Sequence, residues 1–288
     1  MNSAKIGTLI NQLLSLPMHP SLITATELRA LIGKTTVVLD CRFNLMDKTQ
    51  GQSLYRLGHI PGAYYVDLER DLSSAVQIHG GRHPLPDFEH LQNKLRSFGI
   101  NQHTTVVVYD DSRMAYAARA WWLLKHLGHA DVRILDGGFN SWVAINGAQD
   151  RREPALKQGN FKIAIQPNQT VDRENILANE ALTLIDSREA RRYQGLEEPI
   201  DPIAGHIPNA LNFFWQDVTD EKGFVKPIEW QKDHWKQIST NNNLTVYCGS
   251  GVTACVNIFS LHLCGIDAKL YPGSWSDWCS YLPRPEIT

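Results

Sequence analysis

One cysteine in this chain stands where a thiol could act as a nucleophile. Cys248 follows a short apolar run, Leu244-Thr245-Val246-Tyr247, and precedes Gly249-Ser250-Gly251-Val252-Thr253 and a helix-forming stretch. A strand that hands a thiol to a tight, two-glycine loop opening a helix places it where backbone N–H groups and the helix dipole converge, a setting that favours an anion. Free cysteine has a pKa of ~8.5, and helix N-termini lower it. The amides of Gly249, Gly251, Val252 and Thr253 would then cradle a thiolate or a persulfide, with the Ser250 hydroxyl as a possible proton relay. A cysteine phosphatase also starts an anion loop with Cys, but it needs Cys-x5-Arg, and the sixth residue after Cys248 is Ala254. Cys255, seven residues after Cys248 and about two helical turns along, reads as core. Five cysteines without a CxxC pair suit neither a disulfide framework nor a zinc site, and they point to a reducing cytoplasm. His79 and His83 in IHGGRHPLP have no partners at ligand spacing, so no metal is expected.

The elements that would carry this cysteine occur twice. LIGKTTVVLDCR returns as ALTLIDSR, GHIPGA as GHIPNA, TVVVYDDS as LTVYCGS, and LDGGFNSW as YPGSWSDW. The offsets are 146 (Arg42 to Arg188), 147 (Gly58 to Gly205), 138 (Asp110 to Cys248) and 136 residues (Trp142 to Trp278), in unchanged order. Constant order with drifting offset means two copies that differ in loop length. Each copy alternates short β-branched runs with helical stretches, so the fold class is α/β, with two tandem domains, each a mainly parallel sheet flanked by helices. Gly128 and Gly265 stand where helices should end, and Thr24 with Glu27 reads as a capping box. We place domain 1 at 22–148, a linker and entry segment at 149–177, and domain 2 at 178–286. In copy one, Asp110 replaces Cys248, and Asp111 and Arg113 replace the two glycines. That copy has no nucleophile, and its carboxylates are expected to repel an anion. One active site per chain follows, on copy two.

These motifs resemble the tandem-domain sulfurtransferases of the rhodanese superfamily, from about residue 22 to 284. The CGSGVTA loop is similar to that of the members using 3-mercaptopyruvate, whereas the thiosulfate-using members usually carry CRKGVTA. The resemblance implies that Cys248 takes a sulfur from a small-molecule donor as a persulfide and passes it to a thiol or cyanide, with thioredoxin among the candidate acceptors and no organic cofactor. It also implies a Ser–His–Asp relay, for which His59 of GHIPGA matches the histidine and Asp47 is the carboxylate in the preceding stretch. Arg192 of DSREARRYQG matches the family's substrate-binding arginine. Arg188 is a second candidate, although Arg42 repeats it in copy one. The chain departs from the family at the second arginine, where Ile200 stands after Glu198-Pro199. Unless Arg82 or Arg113 of copy one reaches across, the clamp on the donor is incomplete, and thiosulfate remains the alternative donor. A non-catalytic binding module is a further alternative, which the intact Cys248 loop argues against.

The bulk composition agrees with a globular enzyme. The 288 residues carry 28 Lys and Arg against 30 Asp and Glu, with 43% hydrophobic residues. A net charge of −2 offers no basic excess for nucleic acid, and no apolar run reaches the length of a membrane span. The N-terminal stretch, with a single Lys and no clear cleavage site, does not read as a signal peptide.

Overall fold

A computed structural model describes residues 18–238 and 243–283 of the chain. Copy one contains β1 (Leu22–Ile23), α1 (Ala25–Leu31), β2 (Thr36–Asp40), α2 (Gln50–Leu57) and β3 (Tyr64–Tyr65). It continues with α3 (Phe88–Ser97), β4 (Thr105–Tyr109), α4 (Ala117–His126), β5 (Val132–Leu135) and α5 (Gly138–Ala144). Copy two contains α6 (Arg173–Ala178), β6 (Thr183–Asp186), α7 (Ala190–Tyr193), β7 (Leu211–Asn212) and a 3₁₀ turn over Trp215–Val218. It continues with α8 (Ile228–Trp235), β8 (Leu244–Tyr247), α9 (Ala254–Leu263), β9 (Lys269–Leu270) and α10 (Ser274–Ser280).

Both sheets are parallel, ordered β1-β5-β4-β2-β3 and β7-β6-β8-β9. A backbone bridge from Thr170 to Leu270 takes the place in copy two that β1 holds beside β5. The central strands are the most apolar because helices cover both faces: Val106 to Tyr109 on β4, and Val246 and Tyr247 on β8, are fully buried. Local chemistry sets the helix ends. Thr24 and Glu27 form the capping box of α1, and Gly128 and Gly265 take positive φ just beyond α4 and α9.

One apolar core runs through both copies, and each copy has a further apolar cluster of its own. Helices α4 and α9 are buried on nearly every side and pack across the junction, where Trp121 meets Phe259 edge-to-face at 4.9 Å. The connecting segment is packed along copy one rather than hanging free. Asp150 bridges His59, Phe161 is fully buried, and the Ala164 N–H donates to the Leu127 carbonyl. Among the described residues no helix is long and apolar enough to cross a membrane.

Candidate active site

Strand β8 leads directly into Cys248, which is 1% exposed. Its own N–H donates to Ser274 Oγ, and its carbonyl accepts the Trp275 N–H, so the start of α10 fixes the thiol's backbone on both sides. Gly251, at φ 74, turns the chain into α9; its would-be Cβ lies 2.3 Å from the Pro272 carbonyl, which restricts this position to glycine. The N–H groups of Ser250, Val252 and Ala254 have no protein acceptor among the described residues.

Copy one shows what this loop geometry holds. There the Asp110 carboxylate folds into the equivalent loop and accepts N–H bonds from Ser112 (2.8 Å), Met114 (3.1 Å), Tyr116 (2.9 Å) and Ala117 (2.8 Å). The Asp110 carboxylate thus fills the place in copy one that an outside anion would take; burial pushes its pKa up, and these N–H bonds hold it down. Arg113 and Met114 accept positive φ to complete the turn. The matching loop of copy two surrounds a thiol instead, with positive φ at Gly251 and the Cys255 N–H already given to the Val252 carbonyl.

A cavity of about 620 Å³ lies between the copies, lined by Cys248, Gly249, Ser250, Val252 and Thr253 and, from copy one, by residues 110–116. Gly251 does not line it, and its carbonyl accepts from Arg119 Nη1 at 3.0 Å. Arg119 is fully buried, and its guanidinium also donates to the carbonyls of Leu72, His83 and Pro84. One side chain of copy one thus ties the nucleophile loop to the segment carrying His83.

That segment supplies the histidine. His83 Nδ1 lies 2.8 Å from Ser250 Oγ, and both residues are buried. Burial, followed by the Arg119 and Arg82 cations, pushes the His83 pKa down to about 3, so the ring is neutral at physiological pH. Gly80 and Gly81 make the turn before it with positive φ. The turn docks on α10 through Gly80 N–H to Asp277, Arg82 N–H to Ser276 Oγ, and His79 to Ser280.

The residues expected from the GHIP motif are elsewhere. His59 is fully buried, stacks on Tyr55 at 3.9 Å and places Nδ1 2.8 Å from the Tyr55 carbonyl. His206 repeats this on Tyr193, at 3.9 Å and 2.7 Å. The motif is therefore a scaffold device in both copies, and the expected Ser250–His59 pairing is corrected to Ser250–His83. Asp47 is exposed and accepts from the Thr49 N–H and hydroxyl, shaping the turn before α2 rather than orienting a histidine.

The arginines divide in the same way. Arg188 lines the cavity, but its fork grips Asp186, Glu198 and the Gly205 carbonyl, as the Arg42 fork grips Asp40 and the Gly58 carbonyl. Arg192 Nε and Nη2 pair with Glu198, and Nη2 also reaches Asp201 at 3.1 Å. Arg82 crosses from copy one, pairs with Asp201, and places Nη2 3.0 Å from where a Cβ on Gly249 would stand; the Arg192 Nη atoms are 3.6 Å from that point. Arg113 also crosses, but it is spent on Gln216 and Thr219 of copy two. Two guanidiniums, one per copy, therefore hang beside the nucleophile, although Ile200 stands where the family's second arginine is expected. Sequence reading missed His83 and Asp201. The signal was the Gly80-Gly81-Arg82-His83 loop, which carries chemistry-capable residues on a glycine turn where copy two has Gly223-Phe224-Val225.

A buried thiol in an anion-holding loop, on the second of two matched parallel sheets, defines a class, and comparison with known proteins agrees. The Rhodanese-like domain family matches residues 24–145 and again 171–281. The chain belongs to this family, and its fold and cysteine loop are those of a tandem-domain sulfurtransferase. It is 42% identical over 277 residues to a protein of Pseudomonas aeruginosa named probable 3-mercaptopyruvate sulfurtransferase, covering 93% of this chain and 98% of that one. It is 40% identical over 274 residues to a Mycobacterium tuberculosis protein named putative thiosulfate sulfurtransferase SseB, covering 92% and 95%. The crystal structure of SseA from Escherichia coli, described as a 3-mercaptopyruvate sulfotransferase, superposes with a TM-score of 0.78 at 31% identity, covering 89% of this chain and 99% of that one.

Proposed function

We propose that this chain moves a sulfur from 3-mercaptopyruvate to a thiol or cyanide through a persulfide on Cys248. The observation that carries the reading is the neutral Gly249-Ser250 pair beside the thiol, faced by two guanidiniums and by the Ser250–His83 contact. Arg82 and Arg192 would hold the donor's carboxylate with charge-assisted hydrogen bonds, bringing its sulfur onto Cys248.

The Cys248 thiolate attacks the donor sulfur and forms the S–S bond. The carbon–sulfur bond breaks, and its electron pair passes to the donor carbon as the enolate of pyruvate. The enolate takes up one proton, and the neutral His83 with Ser250 is placed to relay it. The outer sulfur remains on Cys248 as a persulfide, held by the loop amides. An acceptor thiolate or cyanide then attacks that outer sulfur and releases the Cys248 thiolate. The acceptors with this chemistry include low-molecular-weight thiols and thioredoxin. A reducing compartment such as the cytoplasm suits the five free cysteines.

Thiosulfate is the second reading, favoured by the same arginine pair and by the name of the mycobacterial relative. Initial rates with both donors, together with mass spectrometry of donor-treated protein, decide between them. We expect faster turnover with 3-mercaptopyruvate and a gain of one sulfur on Cys248 that a thiol removes. A Cys248→Ser protein that still transferred sulfur from either donor would overturn the reading.

A further inference from the structure

We infer that Asp201 selects the donor by charge: it joins Arg82 of copy one to Arg192 of copy two from behind and cancels the positive charge that a dianionic donor would seek. The inference rests on the reading that these two arginines bind the donor. Both guanidiniums approach Gly249, next to the nucleophile. Two cations this close repel, and Arg192 is the next cause after burial that pushes the Arg82 pKa down. Asp201 resolves the conflict by giving one carboxylate oxygen to Arg82 and the other to Arg192. Its side chain is 2% exposed and is not part of the cavity wall, so a bound donor would meet the front of the guanidiniums while Asp201 stays behind them.

Glu198 completes the cancellation. It pairs with Arg188 and Arg192, and its Oε1 accepts the N–H groups of Ile200 and Asp201, which fixes the loop that presents Asp201. Three arginines (82, 188 and 192) thus face three carboxylates (186, 198 and 201), and the group has no formal net charge. A planar carboxylate gains directed hydrogen bonds from such a site without needing excess charge. A compact dianion gains most from net positive charge, which this arrangement withholds. Because the group is largely removed from water, one uncompensated charge there acts with little screening.

The test is Asp201→Asn, close to isosteric and retaining one acceptor oxygen, assayed with thiosulfate and with 3-mercaptopyruvate. We expect the ratio of kcat/KM for thiosulfate to that for 3-mercaptopyruvate to rise at least about tenfold, mainly through KM, and the gain to shrink at high salt. A second readout needs no turnover: protection of Cys248 from iodoacetamide by sulfite and by pyruvate. The variant should tighten sulfite protection more than pyruvate protection, and Asp201→Ser carries the same expectation should the asparagine protein not fold. A ratio that stays constant or falls would reduce Asp201 to a brace for the arginines and overturn the inference. Arg82→Gln and Arg192→Gln separate the two levels. If neither raises KM for either donor, the donor-binding reading fails; if they do while Asp201→Asn leaves the ratio unchanged, only the role of Asp201 fails.

Discussion

His83 of the first copy and Ser250 of the second meet across the junction at 2.8 Å, Nδ1 to Oγ, in a buried setting that keeps the imidazole neutral. If this pair relays the proton to the pyruvate enolate, His83→Gln and Ser250→Ala should each lower kcat by about 10- to 100-fold with 3-mercaptopyruvate. The double variant should lose little more than the worse single one, because the pair acts as a unit. The pH dependence follows from the sign of the shift. With its pKa pushed down to about 3, His83 stays deprotonated from pH 5 to 8, so removing it should lower the rate profile without changing its shape. Loss of an acid limb near pH 6 in the His83 variant would show that the ring titrates there, against this assignment.

The turn that aims Arg82 and His83 makes a sharper demand on Gly81 than on Gly80. Both have positive φ, but a Cβ on Gly81 would lie 2.4 Å from the Gly273 carbonyl, whereas on Gly80 the nearest atom is 4.0 Å away. Gly81→Ala should therefore break the docking of the loop on α10, raise KM for the donor and lower kcat. It should also cost roughly 1–3 kcal/mol of stability. Gly80→Ala carries the backbone strain alone and should be milder on every measure. Steady-state kinetics and denaturant unfolding of the two variants check this; equal damage from both would mean that the close approach to Gly273 does not matter.

What was legible in the sequence is the scaffold that repeats, together with Cys248's place at a strand end. Strand–helix alternation, the helix-ending glycines, the capping box and the Arg42/Arg188 and His59/His206 pairs all leave local or periodic traces. The motif that carries His59 recurs with His206, and the fully buried stack of His59 on Tyr55 shows that the resemblance misplaced the relay. The cross-junction contacts leave no such trace. Arg82 and Asp201 are 119 residues apart in sequence, and His83 and Ser250 are 167 apart. Pairings of that kind are set by how two copies pack, which no periodicity encodes. The Asp110 carboxylate was visible, but whether it repels an anion or serves as one depends on four backbone N–H vectors.

Those four vectors make Asp110 a structural anion. Asp110→Ala would strip buried donors of their acceptor and should destabilise the chain by at least about 2 kcal/mol, while Asp110→Asn, keeping one carbonyl oxygen, should cost less. Because residues 110–116 also line the shared cavity, the alanine variant should raise KM for the donor as well. Chemical denaturation and kinetics on the two proteins provide the check, and an alanine protein as stable as the parent would show that the loop does not depend on its internal carboxylate.

Asp136 of copy one ties the copies together, with Oδ1 accepting the Val225 N–H of copy two at 2.8 Å. That bond holds the hairpin carrying Glu221, Lys222 and Gly223, which line the cavity. Burial, with a smaller contribution from the Asp220 charge, pushes the Asp136 carboxyl up to about 6, from an ordinary 3.8, outweighing the Val225 bond that favours the charged form. The folded state therefore binds this proton more tightly than the unfolded state does. Its stabilising effect is fully present below pH 3.8 and is lost as pH rises through about 6, which leaves the ionised carboxylate a burden of up to about 3 kcal/mol at pH 8. Asp136→Asn removes that burden while its amide oxygen still accepts from Val225. The variant should be more stable than the parent at pH 8, and the difference should shrink as pH falls toward 5. Urea unfolding of both proteins between pH 5 and 8 measures it. A gain independent of pH would mean that Asp136 ionises in the fold as an ordinary carboxylate does, and one that grows toward acid would mean that the fold holds its pKa down.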